Sequence, residues 1–161
     1  MKVLYIGGTG EISYSCVHRS VKAGQKVAVF NRRRNEEPLP DGVEQITGDM
    51  ASDADYRPLG GRKFDVVCQF LLFTPEQARR DAEIFAGNCG QYVFISSASA
   101  YQKPPRTWRI TENVPVENPY WKYSQNKADV ETLFLSEHAA GRLPVTIVRP
   151  SHTFRRQFPA T

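Results

Sequence analysis

Apolar positions along the chain fall into six short runs that are separated by polar, glycine-rich or proline-containing segments. Short apolar runs bounded in this way are typical of strands that are buried on both faces of a parallel sheet. The predicted strands are residues 3–6, 26–30, 43–46, 64–68, 91–95 and 144–148.

Three segments between these runs carry the periodicity of amphipathic helices. Residues 11–23 form the first, and Gly24 after it is a typical helix stop. The second begins after Thr74, the expected N-cap, with Gln77 in the position that completes a capping box. Residues 120–138 form the third. Strands that alternate with helices predict an α/β fold, a doubly wound parallel sheet of the Rossmann type with helices on both faces.

A glycine-rich turn joins the first predicted strand to the first predicted helix. Its residues are Gly7, Gly8, Thr9 and Gly10, followed by Glu11, Ile12 and Ser13. The pattern is typical of a mononucleotide-binding unit, because glycine lets the main chain approach a pyrophosphate and the helix N-terminus attracts an anion. Ser13 replaces the last glycine of that pattern and is small enough for close contact between helix and strand. The alternative is a tight turn that binds no ligand.

The end of the second predicted strand bears on which dinucleotide would bind. An acidic residue there would accept a hydrogen bond from the ribose 2′-hydroxyl of NAD. The chain has Asn31 instead, followed by Arg32, Arg33 and Arg34, and arginine can bind a 2′-phosphate bidentately. The pattern therefore favours NADP slightly over NAD, although the arginines could equally belong to a solvated loop. After the third strand, Asp49 could lie near the adenine amino group or cap a turn.

Tyr123 and Lys127 are four residues apart on the third predicted helix, a spacing that places both side chains on one face. A nearby ammonium would stabilise the phenolate, so we expect the pKa of Tyr123 to fall, which makes it a candidate acid/base. Lys127 is also expected to bind the ribose of the nicotinamide. Ser97 follows the fifth strand, at the edge where open sheets bind ligands, and could contact the same substrate oxygen. Alone, the Tyr/Lys spacing is more typical of a surface pair.

The size and composition of the chain, 161 residues with 40% hydrophobic and 24% charged, suit one domain spanning residues 1–161. No apolar run approaches the roughly 18 residues that cross a bilayer, and no signal segment precedes the first strand. We therefore expect a cytoplasmic protein without a membrane partner. The net charge of +4 suits either a nucleic-acid partner or a phosphate-rich cofactor.

The residues that could bind a metal are scattered along the chain. They are Cys16, Cys68, Cys89, His18, His138 and His152. No pair has the spacing of metal ligands, and three separated cysteines do not form a disulfide framework. The sequence therefore predicts free thiols and no metal site.

In their order, the motifs resemble those of the short-chain dehydrogenase/reductase superfamily, in its extended branch of NAD(P)-dependent epimerases and dehydratases. The matching segments cover nearly the whole chain: residues 7–10, Gly48-Asp49-Met50, residues 94–101, 110–112 and 118–123, Lys127 and residues 148–151. The resemblance implies that Ser97, Tyr123 and Lys127 form a catalytic triad and that Pro150 and Ser151 lie beside the nicotinamide. It also implies a nucleotide-linked sugar as substrate, hydride transfer to NAD or NADP, and a homodimer whose interface is formed by two helices of each subunit.

Several features depart from this branch. Residues 68–73 are bulky and apolar where the family usually has small residues, and Asn126 stands where serine or threonine is common. Extended members continue past the sixth strand with a substrate-binding portion, so we expect a fragment or a natural half that lacks it. The chain is also similar to a divergent subgroup related to plastid stem-loop RNA-binding proteins. The alternative hypothesis is therefore a non-catalytic protein that senses a dinucleotide or binds RNA.

Overall fold

The computed structural model describes residues 1–33 and 38–153. At its centre lies a six-stranded parallel sheet with the strand order β3-β2-β1-β4-β5-β6. The strands are β1 (Lys2–Ile6), β2 (Lys26–Asn31), β3 (Glu44–Thr47), β4 (Phe64–Gln69), β5 (Cys89–Ile95) and β6 (Val145–Val148). This order confirms the predicted doubly wound sheet, and the strand ends differ from the predicted ones by one or two residues.

Four α-helices and two short 3₁₀ helices connect the strands in the described part of the chain. They are α1 (Ser13–Lys22), α2 (Asp53–Tyr56), α3 (Pro75–Phe85), α4 (Lys122–Ala139) and the 3₁₀ turns Arg57–Gly61 and Ala98–Ala100. The capping box before α3 is confirmed: Thr74 Oγ1 accepts from Gln77 N, and Gln77 Oε1 accepts from Thr74 N. Helix α2 is an addition to the predicted elements. The side chain of its N-cap residue, Ser52, accepts a hydrogen bond from Asp55 N. A serine at the N-cap is a helix-start signal that can be recognised in the sequence.

The side chains of β1 alternate between two apolar cores, one on each face of the sheet. Leu4 and Ile6 belong to the larger core, which also contains Phe85 of α3 and Phe134 of α4. The smaller core, on the face covered by α1, is built from Val3, Tyr5, Val17, Val27 and Val29. β2 and β4 lie on opposite sides of β1. The connection after β1 therefore runs toward β2, whereas the connection after β4 runs the other way, toward β5. Such a switch point is where open α/β sheets bind ligands.

The three cysteines are free, with Cys16 and Cys68 half-buried and Cys89 buried. Burial raises the pKa of Cys68 to about 12, so this thiol is protonated at neutral pH. No group of His, Cys, Asp and Glu side chains within residues 1–33 and 38–153 could hold a metal ion. In the same part of the chain, no helix combines the length and the apolar character needed to cross a membrane.

Candidate active site

A groove of about 580 Å³ opens at the carboxyl ends of β1, β2 and β3. The predicted cofactor-binding residues that line it are Gly7, Thr9, Gly10, Glu11, Ile12, Asn31, Arg32, Arg33, Asp49 and Met50. Gly8 packs under the turn instead, and Lys127 and Pro150 lie outside the groove. The structure therefore brings together the residues predicted to meet the diphosphate and the adenosine. It does not place Lys127 or Pro150 with them.

The turn between β1 and α1 requires glycine at two positions. Gly7 has a φ of +83°, which favours glycine, and a Cβ on Gly8 would lie 2.7 Å from both methyl groups of Val29. Ser13 is buried, and its hydroxyl accepts a hydrogen bond from Gly10 N at 3.0 Å. The N-cap of α1 is Ile12, whose side chain cannot accept a hydrogen bond. The positive end of α1 therefore borders the groove without a side-chain cap.

Asn31 and Asp49 order the end of the groove that lies beside β2 and β3. Asn31 Oδ1 accepts from Arg33 N at 3.0 Å, and Arg33 has a φ of +50°. Asp49 Oδ1 accepts a hydrogen bond from Ala51 N at 2.9 Å. Asp49 therefore caps a turn, which is one of the two roles that the sequence allowed. Its other oxygen lies 3.8 Å from Arg32 Nη1 in an exposed ion pair. Arg34 lies outside the described residues.

The segment after β4 forms the opposite wall of the groove. The resemblance places this segment beside the cofactor, but none of its residues was among the predicted site residues. Leu71 lies against the turn, since a Cβ on Gly7 would be 2.7 Å from Leu71 Cγ. Phe70, Phe73 and Gln77 also line this wall. The sequence did contain a signal for this wall. Residues 68–73 are bulky and apolar, and they end a strand parallel to β1, whose carboxyl end must border the same groove.

A buried polar cluster anchors that wall from beneath. Gln69 accepts from Leu71 N at 2.8 Å and donates to Asp81 Oδ2 at 2.7 Å, and the phenols of Tyr56 and Tyr92 donate to the same oxygen. Burial raises the pKa of Asp81 to about 6, although three donors and Arg80 oppose the rise. Asp81 lies on the apolar face of α3, and an acid at such a position is the sequence signal for a buried carboxyl group.

The predicted catalytic residues lie at the ends of neighbouring elements. Ser97 follows β5, while Tyr123 and Lys127 are on the first two turns of α4. Burial raises the pKa of Tyr123, and a hydrogen bond with the Ser97 side chain lowers it by less. The expectation that the pKa of Tyr123 falls is therefore wrong. Desolvation outweighs the hydrogen bond. The Lys127 ammonium lies 5.7 Å from the centroid of the Tyr123 ring, but it donates its hydrogen bonds to two backbone carbonyls.

Lys127 is buried, with 2% of its surface exposed. Its ammonium donates to the carbonyls of Leu72 at 2.7 Å and Ile95 at 2.8 Å. Aromatic rings surround it, with the centroid of Phe94 4.7 Å and that of Phe73 4.8 Å from Nζ. Burial lowers the pKa of Lys127 to about 8. Lys127 thus joins α4 to the ends of β4 and β5, and its ammonium is not directed into the groove.

Phe73 connects the groove to the predicted catalytic residues. It lines the groove, and its ring centroid lies 6.2 Å from that of Tyr123. Trp121 packs on the same phenol with 4.8 Å between ring centroids. Tyr123 is thus held between two aromatic side chains, which accounts for part of its burial.

A buried ion pair that sequence reasoning missed fixes the strand ends on the other side. Glu131 is 2% exposed, accepts from the hydroxyl of Ser96, and pairs with Arg149 at 2.7 Å. Arg149 also donates to the phenol of Tyr101 at 3.1 Å. Glu131 lies one turn after Lys127 on the same face of α4. This spacing was the signal in the sequence for a buried acid near the site.

The sequence of residues 78–157 matches the family model described as the NAD dependent epimerase/dehydratase family. The match covers 80 of the 161 residues. The matched segment contains Ser97, Tyr123 and Lys127, whereas the glycine turn lies before it. Among curated proteins, no sequence matches the chain significantly.

Solved structures of epimerases share the fold. An epimerase from Methanothermobacter thermautotrophicus matches with a TM-score of 0.80 and 17% identity over 92% of this chain and 50% of its own. UDP-glucose 4-epimerase from Thermus thermophilus, solved with NAD, gives 0.79 and 20% over 92% and 54%. A short-chain dehydrogenase/reductase superfamily protein from Agrobacterium tumefaciens with bound NAD gives 0.77 and 22% over 94% and 49%. The chain thus spans about half the length of these relatives of the epimerase/dehydratase fold.

Proposed function

We propose that the chain binds NAD or NADP in the groove and acts as an NAD(P)-dependent oxidoreductase, epimerase or dehydratase with Tyr123 as its acid/base. The observation that carries this proposal is the wall formed by Phe73. Phe73 lines the groove and its ring centroid lies 6.2 Å from that of Tyr123, which supports a reaction at the end of the groove. Bound there, the dinucleotide would supply oxidation and reduction of a substrate carbon.

The residues of the groove fit a dinucleotide in three respects. The uncapped N-terminus of α1 suits a diphosphate, and Gly10 places no side chain over it. Asn31 and Arg33 stand where the adenosine ribose would lie, and they would accept a 2′-phosphate without repulsion from an acid. Leu71 narrows the groove over Gly7, so a bound dinucleotide would contact this side chain.

We assign the proton-transfer role to Tyr123. Because burial raises its pKa, the phenol is protonated at neutral pH and is ready to donate to a carbonyl oxygen. Accepting a proton from a hydroxyl requires that the bound ligands lower that pKa. Ser97 would donate a hydrogen bond to the same substrate oxygen. Lys127 would act by holding the ends of β4 and β5 in place, and it would reach a ribose hydroxyl only after its carbonyl bonds break.

We propose a sugar nucleotide, or a related compound with a hydroxyl or carbonyl group, as the substrate. Relatives of similar fold include UDP-glucose 4-epimerase and a UDP-N-acetylglucosamine 4-epimerase in complex with UDP-N-acetylmuramic acid. Since the chain spans about half their length, we take residues 1–161 as a dinucleotide-binding domain. Selection of the substrate then needs residues outside it.

Thermal unfolding with NADP, with NAD and without either tests the binding step. A dinucleotide at 100 times its Kd should add about 2.7 kcal/mol to the free energy of unfolding. A larger shift with NADP than with NAD would support the roles of Asn31 and Arg33. The absence of any shift at 5 mM of either dinucleotide, a concentration of about 100 times an ordinary Kd, would remove the proposal.

The second candidate function is dinucleotide binding without catalysis. The two carbonyl hydrogen bonds of the Lys127 ammonium favour it, because the pKa of Tyr123 is raised although this ammonium lies 5.7 Å from the centroid of its ring. The two functions differ in one measurement. Both proteins would show the thermal shift, whereas only the catalytic one would exchange hydride between the bound dinucleotide and a small aldehyde or alcohol, a reaction that does not require selection of a sugar nucleotide.

A further inference from the structure

Two serines outside the predicted triad are hydrogen-bonded to it. Ser99 is half-buried on the 3₁₀ turn that follows Ser97, and Ser124 is buried beside Tyr123 at the start of α4. Ser124 Oγ donates to Ser99 Oγ at 2.9 Å, and 2.8 Å separates Ser99 Oγ from Ser97 Oγ. The hydroxyls of these three residues thus form a continuous row, which we call the serine chain. It ends at the phenol of Tyr123, with which the Ser97 side chain forms a hydrogen bond.

The direction of the hydrogen bonds in the serine chain follows from the partners of Ser99. Its hydroxyl accepts from Ser124, and among the described residues the acceptor left for its own proton is Ser97 Oγ. Ser97 Oγ also accepts from Ser99 N at 3.1 Å. A hydroxyl oxygen has two lone pairs. Both lone pairs of Ser97 Oγ are therefore occupied by donors of Ser99, one from its backbone and one from its side chain.

The backbone of Ser99 is held by contacts that do not use its hydroxyl. Asn118 Nδ2 donates to the Ser99 carbonyl at 2.7 Å, and Asn118 Oδ1 accepts from Tyr120 N at 3.1 Å. Ala100 N donates to Ser97 O at 3.1 Å, which closes the 3₁₀ turn. A substitution that removes only the hydroxyl of Ser99 should therefore leave the turn in place.

The far end of the serine chain does not reach water, since Ser124 is 0% exposed. Within residues 1–33 and 38–153, the Ser124 hydroxyl forms no hydrogen bond other than the one to Ser99. A row of hydroxyls that carried a proton between Tyr123 and solvent would need an exit at this end. The arrangement is therefore suited to orienting a hydroxyl group and not to conducting a proton.

The occupied lone pairs restrict what Ser97 can do beside Tyr123. Its oxygen cannot accept the phenol proton, whereas its own proton can be donated to the phenol or to a substrate oxygen. We propose that Ser99 is a positioning residue that makes the Ser97 hydroxyl act only as a donor, which leaves the proton of Tyr123 for the substrate. The effect on turnover rests on the proposed function, but the direction of the hydrogen bonds can be measured without a substrate.

The ionisation of the Tyr123 phenol gives the first test. The chain has seven tyrosines, so 3,5-difluorotyrosine is placed at position 123 alone and its ¹⁹F signal is followed during a pH titration. In Ser99→Ala a lone pair of Ser97 Oγ becomes available, so the phenol would donate to it and its neutral form would be stabilised. The pKa of this phenol should therefore rise, and its acid dissociation constant should fall about 3-fold or more, as expected for one hydrogen bond. Ser99→Thr keeps the hydroxyl and should retain the wild-type pKa.

Two further variants show whether the effect passes through Ser97. Ser136→Ala is the matched control, because Ser136 is an exposed serine on the same helix as Tyr123 and has no hydrogen bond to the serine chain. It should leave the pKa of the phenol unchanged. In a Ser97→Ala background, Ser99→Ala should have no additional effect on that pKa. A purely structural role of Ser99 would give the same effect in both backgrounds.

Turnover gives the second test, with NADPH and propionaldehyde as the probe. Ser99→Ala should lower kcat about 10-fold and leave KM within about 2-fold, because the phenol proton is diverted to Ser97 while the binding contacts remain. Ser99→Thr should restore the wild-type kcat. A loss that appeared mainly in KM would contradict a positioning role for this hydroxyl.

The proposal is overturned if Ser99→Ala leaves the pKa of the phenol unchanged, or if Ser99→Thr does not restore it. It is also overturned if Ser99→Ala has the same effect with and without the hydroxyl of Ser97. A wild-type chain that does not reduce propionaldehyde would count against the proposed function instead. The fluorine titration would still decide the direction of the hydrogen bonds in that case.

Discussion

The ammonium of Lys127 lies 4.8 Å from the ring centroid of Phe73, which places a predicted catalytic cation against a side chain that lines the groove. The same ammonium binds the carbonyls of Leu72 and Ile95. Lys127 therefore joins the wall of the groove to the helix that carries Tyr123. Its burial has a consequence for stability that can be measured.

The charge of Lys127 should make unfolding depend on pH. Burial lowers the folded-state pKa from 10.5 to about 8, so the unfolded chain binds more protons between these values. The folded state is then penalised below pH 8, and the penalty is relieved as the pH rises to 10.5, by about 3 kcal/mol in full. Urea unfolding of the wild type and of Lys127→Met at pH 7 to 10 should show a difference that grows with pH in favour of the wild type. A difference that is constant with pH would contradict the assignment of a buried ammonium.

Asp81 should give the opposite dependence at lower pH. Its folded-state pKa is raised from 3.8 to about 6, so the folded state binds more protons than the unfolded state in this window. This difference in proton binding stabilises the folded state fully below pH 3.8. The stabilisation, about 3 kcal/mol, is lost as the pH rises through 6. In Asp81→Asn, which retains an acceptor oxygen for Tyr56, Tyr92 and Gln69, this loss should disappear. Unfolding free energies measured from pH 4 to 7 check it, and equal slopes in both proteins would rule it out.

The close contact at Gly8 should be intolerant of a side chain. A Cβ there would lie 2.7 Å from the methyl groups of Val29, so Gly8→Ala must displace the turn or the strand. We expect a destabilisation of about 1 to 3 kcal/mol, the usual cost of overpacking, together with loss of dinucleotide binding. Gly61→Ala is the control, because a Cβ at Gly61 meets no atom within 4 Å. Thermal unfolding of both variants measures the effect, and equal melting temperatures would contradict it.

The acid/base assignment predicts a separation of binding from turnover. In Tyr123→Phe the aromatic contacts with Phe73 and Trp121 are retained, while the hydroxyl that would exchange the proton is lost. Dinucleotide affinity should stay within about twofold, and turnover of a substrate should fall at least about 100-fold, the usual contribution of a general acid/base. Tyr120→Phe serves as the control, since Tyr120 is 76% exposed and its hydroxyl can be removed while that of Tyr123 stays, and it should keep the wild-type turnover. Undiminished turnover in Tyr123→Phe would exclude this residue as the acid/base.

The order of strands and helices could be predicted because it depends on local patterns. Apolar runs gave all six strands, and Thr74 with Gln77 marked the start of α3. The glycine turn and the ends of β2 and β3 likewise identified the groove, since parallel strands end at one edge of the sheet.

The electrostatics of the site could not be predicted, because they depend on burial and on distant partners. The spacing of Tyr123 and Lys127 suggested a lowered phenol pKa, yet the ammonium is bound by carbonyls from two other elements. The ion pair of Glu131 with Arg149 joins residues 18 positions apart. Such contacts become visible only when α4 packs on the strand ends.

The most direct test of the central claim is the ¹H–¹⁵N correlation spectrum of the labelled chain during titration with NAD and NADP. If the dinucleotide binds as proposed, the amide signals of Gly7, Gly10, Asn31 and Asp49 should shift together and with one Kd. Signals of Lys63 and Gly61, which lie before the amino end of β4 and away from the groove, should stay in place. Saturating shifts confined to residues outside the groove, or no shifts with either dinucleotide, would contradict the account.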